Sequence, residues 1–145
     1  MRVAELLDEV RVVLNGVRLP DSQDGGDNLM REAPFLDVEA PGFVVPHGVY
    51  ILECLALEPG ERQGHRGQFL ATLTATLICR VRPTIEQGPV DVQAAWDLAE
   101  LVGQTLMIDV VTANLHVDRI EYMGLSTDAG TCAHRLNITA LYTGG

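Results

Sequence analysis

Residues 21–32 read DSQDGGDNLMRE, and their closely spaced oxygen-bearing side chains invite comparison with a calcium loop. A helix–loop–helix calcium site needs oxygen ligands at loop positions 1, 3 and 5, glycine at 6 and a bidentate Glu at 12. Asp21, Gly26 and Glu32 fall at positions 1, 6 and 12, but Gln23 and Gly25 stand where two further carboxylate-type ligands belong. Leu19-Pro20 before the loop and Ala33-Pro34 after it keep either flanking helix from running straight into it. The stretch therefore reads as an acidic, turn-rich surface loop and not as a metal loop. Alanine at Asp21 or Glu32 is expected to leave the melting temperature unchanged with or without calcium.

Other reactive side chains are scattered. The histidines are His47, His65, His116 and His134. Cys132 and His134 alternate along one strand face and could seed a zinc site, but two ligands fall short of one. His134 reads instead as a hydrogen-bonded residue in a mostly apolar layer. Cys54, Cys79 and Cys132 show no paired spacing and read as small buried hydrophobes, with Cys79 an inert thiol among apolar and threonyl neighbours. Asp97 and Glu100 stand three apart on a helix and could act as paired acids, but a solvated helix face explains them as well. All ten basic residues are arginine, which excludes a Walker A lysine, a Schiff base and a lysine general base. No GxSxG, HExxH or glycine-rich phosphate loop occurs, and the glycines of 60–67 do not lead into a helix whose N-terminus could take a phosphate. No catalytic residue, metal ligand or cofactor is assigned.

The elements that would hold these residues are clearer than the residues. In 3–14, Val3, Leu6, Leu7, Val10, Val13 and Leu14 recur at helical spacing, and Asn15-Gly16 is a stop signal. Residues 17–48 are broken by four prolines, with Phe35 to Glu39 a candidate short strand; Val49 to Leu57 is a second strand. In FLATLTATLICRVR (69–82) the odd positions are apolar, while Thr72, Thr74, Thr76, Arg80 and Arg82 fall on the even ones. This is the period-2 pattern of a half-buried antiparallel strand. At about 3.3 Å per residue it would exceed 40 Å, so part of it should bend or project past the core. Pro89-Val90-Asp91 opens a helix with Asp91 as cap, carrying Val92, Ala95, Trp96, Ala99, Val102 and Leu106 on one face. Residues 107–114 fit either helix or strand, and strands follow at 117–125 and 132–142. The expectation is one α+β domain over 1–145: a mainly antiparallel sheet with two helices packed on one face, and Trp96 buried beside Leu77.

Charge narrows the partners. Twenty acidic residues face ten basic ones, for a net of -10. Between residues 21 and 61 Asp21, Asp24, Asp27, Glu32, Asp37, Glu39, Glu53, Glu58 and Glu61 oppose Arg31 alone. A chain of this charge lacks the basic face that nucleic-acid binding requires. Glu5, Asp8 and Glu9 interrupt the apolar start of the chain, against a secretory signal. No uncharged run reaches the roughly 18 residues of a membrane span. An intracellular protein is expected.

The strand FLATLTATLICRVR, the helix DVQAAWDLAELVGQTL and the closing VDRIEYMGLSTDAGTCAHRLNITALY together resemble the tail-terminator proteins of long-tailed double-stranded-DNA bacteriophages, also called minor tail or tail-completion proteins. The likeness is one of element order and texture over residues 68–142, and residues 17–48 have no counterpart in it. It implies an α+β subunit that forms a hexameric ring, caps the tail tube and offers a surface to the head connector or head-closure protein. DNA would pass through without specific binding, no membrane is involved, and the location would be the virion tail end or neck, with the host cytoplasm before assembly. The family supplies no catalytic residues. Asp21, Asp24, Asp27, Glu58 and Glu61 are the candidate contacts of an acidic rim or lumen. Another neck or head-closure protein, or a small α+β enzyme, are the alternatives; a closed pocket with convergent polar groups would favour the enzyme.

Overall fold

The computed structural model describes residues 1–19, 29–33, 48–59, 67–80, 88–126 and 131–144. Two helices and five strands follow in the order α1 (Val3–Asn15), β1 (Arg31–Glu32), β2 (Val49–Pro59), β3 (Gln68–Arg80), α2 (Gly88–Asp109), β4 (Asn114–Ser126) and β5 (Thr131–Thr143). They make one sheet ordered β1-β2-β3-β5-β4. All neighbours run antiparallel except the two-residue pairing of β1 with β2. The α+β class expected from the sequence is the one observed. The candidate strand at 35–39 and His47, His65 and Arg82 lie outside the described residues.

The alternation in β3 settles which way the sheet faces. Ala71, Leu73, Ala75, Leu77 and Cys79 lie opposite Ala140, Ile138, Leu136, His134 and Cys132 of β5, and all ten are buried under the helices. The reverse face carries Thr72, Thr74 and Thr76 of β3 opposite Thr139, Asn137 and Arg135 of β5. Polar groups hold that face together locally: Thr139 donates to Asp118 Oδ2 at 3.0 Å, and Arg119 pairs with Glu121 at 3.0 Å. A small apolar island of Ala33, Val49 and Ile78 closes it at the β1 end.

Helix α1 buries Leu6, Val10 and Leu14, the i, i+4, i+8 stripe of its periodic pattern. It is pinned at its C-terminal end, where Tyr50 of β2 donates its hydroxyl to Asn15 Oδ1 at 2.8 Å. Tyr50 is fully buried, and burial is the main cause that pushes its phenol up to about 12, so it acts as a neutral donor. Helix α2 starts three residues before the expected cap, which puts Asp91 inside the first turn. Pro89 fits there because its missing N–H has no helical acceptor at that position. The ambiguous stretch at 107–114 is divided: the helix keeps residues up to Asp109, and β4 begins at Asn114. Between them, Glu9 of α1 accepts the N–H of Val111 at 3.0 Å and the hydroxyl of Thr112, so a carboxylate from one helix ends the other.

Two glycines make opposite predictions. Gly103 is a buried mid-helix residue of α2, and a Cβ there would meet Ile120 and Val117 at 3.7 Å, an ordinary contact distance. Gly103→Ala should stabilise the protein by about 0.5–1 kcal/mol through helix propensity, raising the melting temperature by roughly 2–4 °C. Gly48 sits at φ 71°, and a Cβ would collide with the Leu19 side chain. Gly48→Ala should lower stability by about 1 kcal/mol or more in the same thermal melts.

Candidate functional site

The calcium template is overturned at its last ligand. Glu32 lies in strand β1, not at the start of a helix, and its carboxylate pairs with Arg11 of α1 at 3.0 Å. Arg11 also reaches Asp8 at 2.9 Å. Upstream, Arg18 and Leu29 form an isolated antiparallel bridge, so strand-type pairing, not a helix, precedes β1. Glu32 is thus a structural ion-pair partner, which corrects the expectation that its removal is silent. Asp21, Asp24, Asp27 and Glu61 lie outside the described residues. Glu58 is exposed on β2, opposite Leu70 and on the same side of the sheet as Glu53.

His134 is a different kind of residue from the one expected. It is 1% exposed, and its Nε2 has no hydrogen-bond partner among the described residues. Its ring stands edge-on to Trp96, with centroids 4.5 Å apart and an interplanar angle of 71°, and Tyr122 closes on it at 5.2 Å. Aromatic faces can receive a ring N–H weakly, so the rings of Trp96 and Tyr122 give the imidazole an aromatic surrounding. Burial lowers its pKa below the ordinary value, and the neutral form is the one that fits.

Trp96 corrects a second expectation: it is 39% exposed and not a core residue, although Leu77 at 2% is. The cause is helical phase. Ala95, Leu98, Ala99, Val102 and Leu106 form the centre of the buried stripe on α2, and Trp96 stands at its flank beside β4. There its ring covers His134 with one side and meets solvent with the other. The conjunction was hidden in the sequence, because Trp96, Tyr122 and His134 belong to three separate elements. The one available signal was that Tyr122 and His134 would share a face if their strands paired.

The remaining candidates separate. His116 lies opposite Thr139 on the threonine face of the sheet, whereas His134 is on the helix face. Asp97 lines a groove with Arg18 and Leu101, and Glu100 lines another with Asp118 and Arg119, so they do not converge as an acid pair. Cys54 is exposed on β2. Cys79 and Cys132 are directly opposed across β3 and β5, a pairing that their sequence separation concealed. Among the described residues no three His, Cys, Asp or Glu side chains gather as a metal site.

What the described surface does present is apolar. Val12 (72%), Ile108 (73%) and Val111 (80%) stand exposed on the helix layer together with Leu101 and Met107. An open groove of about 500 Å³ runs between α1 and α2, lined by Val12, Val13, Val17, Leu101 and Thr105 among others. A second strip lies on β2, whose residues from Glu53 onward are mostly exposed and include Leu55 and Leu57. Beyond Tyr50, β2 pairs only with β3 among the described residues. No described helix is long and apolar enough to cross a membrane. No protein-family model matches the chain, and no curated protein matches it.

Two measurements test these assignments. A histidine whose folded pKa lies below the ordinary 6.5 contributes stability that is complete above that value and declines as pH falls through it. Between pH 7.5 and about 5, wild type should therefore lose more stability than His134→Phe, read from denaturant midpoints. Trp96 is the sole tryptophan and should report the transition in its own fluorescence. For the ion pair, Glu32→Ala should cost about 0.5 kcal/mol by the same midpoints, reduced at high salt and indifferent to calcium.

Proposed function

We propose that this protein is a structural ring subunit that terminates the tail tube of a long-tailed bacteriophage and joins it to the head connector. The observation that carries the reading is the outward face of the helix layer. Helix α2 packs one side on the sheet, yet Leu101, Met107 and Ile108 point away from it, and Val12 of α1 and Val111 extend the strip. On the outer side of α2 these apolar side chains gather in the C-terminal half, beyond the exposed Gln93, Asp97 and Glu100, and an exposed apolar patch of this kind suits a second partner. Further exposed apolar side chains, Leu55 and Leu57 on β2 and Tyr122, Met123 and Leu125 on β4, belong to the sheet and not to the helix layer. When two unlike patches of one chain meet head to tail, the contact is heterologous and closes into a ring if the rotation permits. This supports cyclic self-association over a two-fold dimer.

The grooves also suit docking better than turnover, since they are open and lined by aliphatic and scattered polar side chains without convergent acid–base groups. The resemblance over residues 68–142 supports reading the ring as a six-fold terminator. The net charge of -10 per subunit supplies the wall that lets DNA pass without adhering. Glu58, exposed on β2, is the described residue of the rim or lumen set, whose other members are Asp21, Asp24, Asp27 and Glu61.

Like charges resist assembly, so the ring should form more readily as salt screens them. Native mass spectrometry and negative-stain imaging, with and without tail-tube protein, should show six-fold rings on tube ends. Ile108→Glu should abolish them while leaving the monomer folded. Persistent monomers that bind no tube end would overturn the proposal. Tight binding to duplex DNA at physiological salt would overturn the acidic-lumen assignment separately.

A further inference from the structure

We propose that Cys79 and Cys132 form a cross-strand dithiol site that closes to an intramolecular disulfide by exchange with a low-molecular-weight disulfide. The two residues are register partners in the β3–β5 ladder, so their side chains leave the same face of the sheet side by side. Directly opposed residues of antiparallel strands have Cα atoms about 4.5 or 5.5 Å apart, depending on the pair type. Both values fall within the roughly 4.4–6.8 Å that a disulfide spans. The backbone therefore already holds the pair at bonding range, and closure needs side-chain rotation and a small approach of the two Cβ atoms.

Access controls the reaction. Cys79 is 6% exposed and Cys132 1%, beneath the helix layer. They lie one rung from the end of the ladder, with Arg80 opposite Thr131 as the last pair. Opening of that end is a local event and leaves the rest of the thirteen-residue strands paired. Burial pushes the Cys79 thiol up to about 12, with the neighbouring Cys132 adding to the effect, so the closed state holds almost no nucleophile. Exchange is correspondingly slow and accelerates with pH.

The step balances as follows. One cysteine thiolate attacks the external disulfide, forming a mixed disulfide and releasing one small thiolate. The second cysteine, deprotonated, attacks the protein-bound sulfur, forms the Cys79–Cys132 bond and releases the second small thiolate. The protein loses two electrons and two protons, and the external disulfide is reduced to two thiols. The bond closes a loop that contains α2 and β4, the elements that carry most of the exposed apolar helix face and its support. It thereby ties down the surface assigned above to assembly, although the site itself stands independently of that assignment.

The test uses the full chain as Cys54→Ser, which removes the one exposed thiol and with it intermolecular linkage. The protein is equilibrated across ratios of oxidised to reduced glutathione, then denatured, alkylated and weighed intact. The expected product is unalkylated, carries no glutathione and is about 2 Da lighter than the reduced chain. Its melting temperature should rise by roughly ten degrees, because roughly fifty residues are enclosed by the link. Cys79→Ala and Cys132→Ala, each in the Cys54→Ser background, should yield no such species and no rise. Two alkylated thiols at every ratio, or glutathione adducts without the internal bond, would overturn the proposal. So would formation of the bond only under denaturing conditions.

Discussion

The ladder between β3 and β5 runs through thirteen consecutive pairs, Gln68 with Thr143 to Arg80 with Thr131, without a shift. Every other long pairing in the sheet is interrupted: β2 against β3 at Cys54/Ala56, and β4 against β5 at Val117/Arg119 and Tyr122/Gly124. The central ladder can stay regular because its register is fixed from both sides. A slip of one residue would turn Thr72, Thr74 and Thr76 toward the helices and carry Leu73, Ala75 and Leu77 to the polar face. Burying three hydroxyls without partners while exposing the apolar set costs several kcal/mol on any ordinary scale. The same register brings Leu77 to His134 and Cys79 to Cys132, so the aromatic cluster and the dithiol both follow from it.

The edges behave differently because they are held from one side only. Each shift in β2 and β4 adds a residue that has no partner, bending the strand and re-aiming its side chains. Gly124, at φ 111°, marks the second shift in β4 and occupies a conformation that other residues rarely adopt. Asp118 lies at the first, where its carboxylate accepts from Thr139 and satisfies the open face. Twisted, charged edges resist indiscriminate strand addition. On β4 the defence consists of two shifts and the Arg119–Glu121 pair beside them, yet Tyr122, Met123 and Leu125 stay exposed. On β2 it is partial, since the single shift leaves Leu55 and Leu57 exposed.

How much of this could be read in advance depended on whether the signal was local. Threonine on alternate positions of β3 encodes both the strand and its facing, and the structure keeps that facing, although Thr74 and Ile78 of the reverse face are buried as well. The stripe of α1 was equally plain. Helix α2 was legible as a helix but not in its limits: the sequence places its cap at Asp91, whereas the helix begins at Gly88, and Val110 and Val111 fit two periods at once. What decided the end was Glu9, a carboxylate from about a hundred residues away in sequence. Trp96 failed for a related reason. Its apolar character predicts burial, but it stands at the flank of the buried stripe beside the end strand β4, and one side of the ring meets solvent. The opposed cysteines and the orphaned His134 nitrogen are consequences of strand pairing, which spacing along the chain does not encode.

The exposed apolar side chains also explain why the charge sits where it does. A subunit with exposed Val12, Ile108 and Val111 on its helices, and Leu55 and Leu57 on its sheet, would aggregate if nothing opposed contact. Exposed carboxylates stand near both strips: Asp109 lines the α1–α2 groove, and Glu53 and Glu58 neighbour the leucines along β2, on the sheet face opposite to that of Leu57. The two strips therefore attract through desolvation at contact range and repel through charge over about a Debye length, roughly 8 Å at physiological salt. Random collisions meet the repulsion first. A partner that holds two copies in register carries them through it, after which the short-range term dominates. Under the proposed ring assembly, a chain built this way would stay dispersed until a template aligned it.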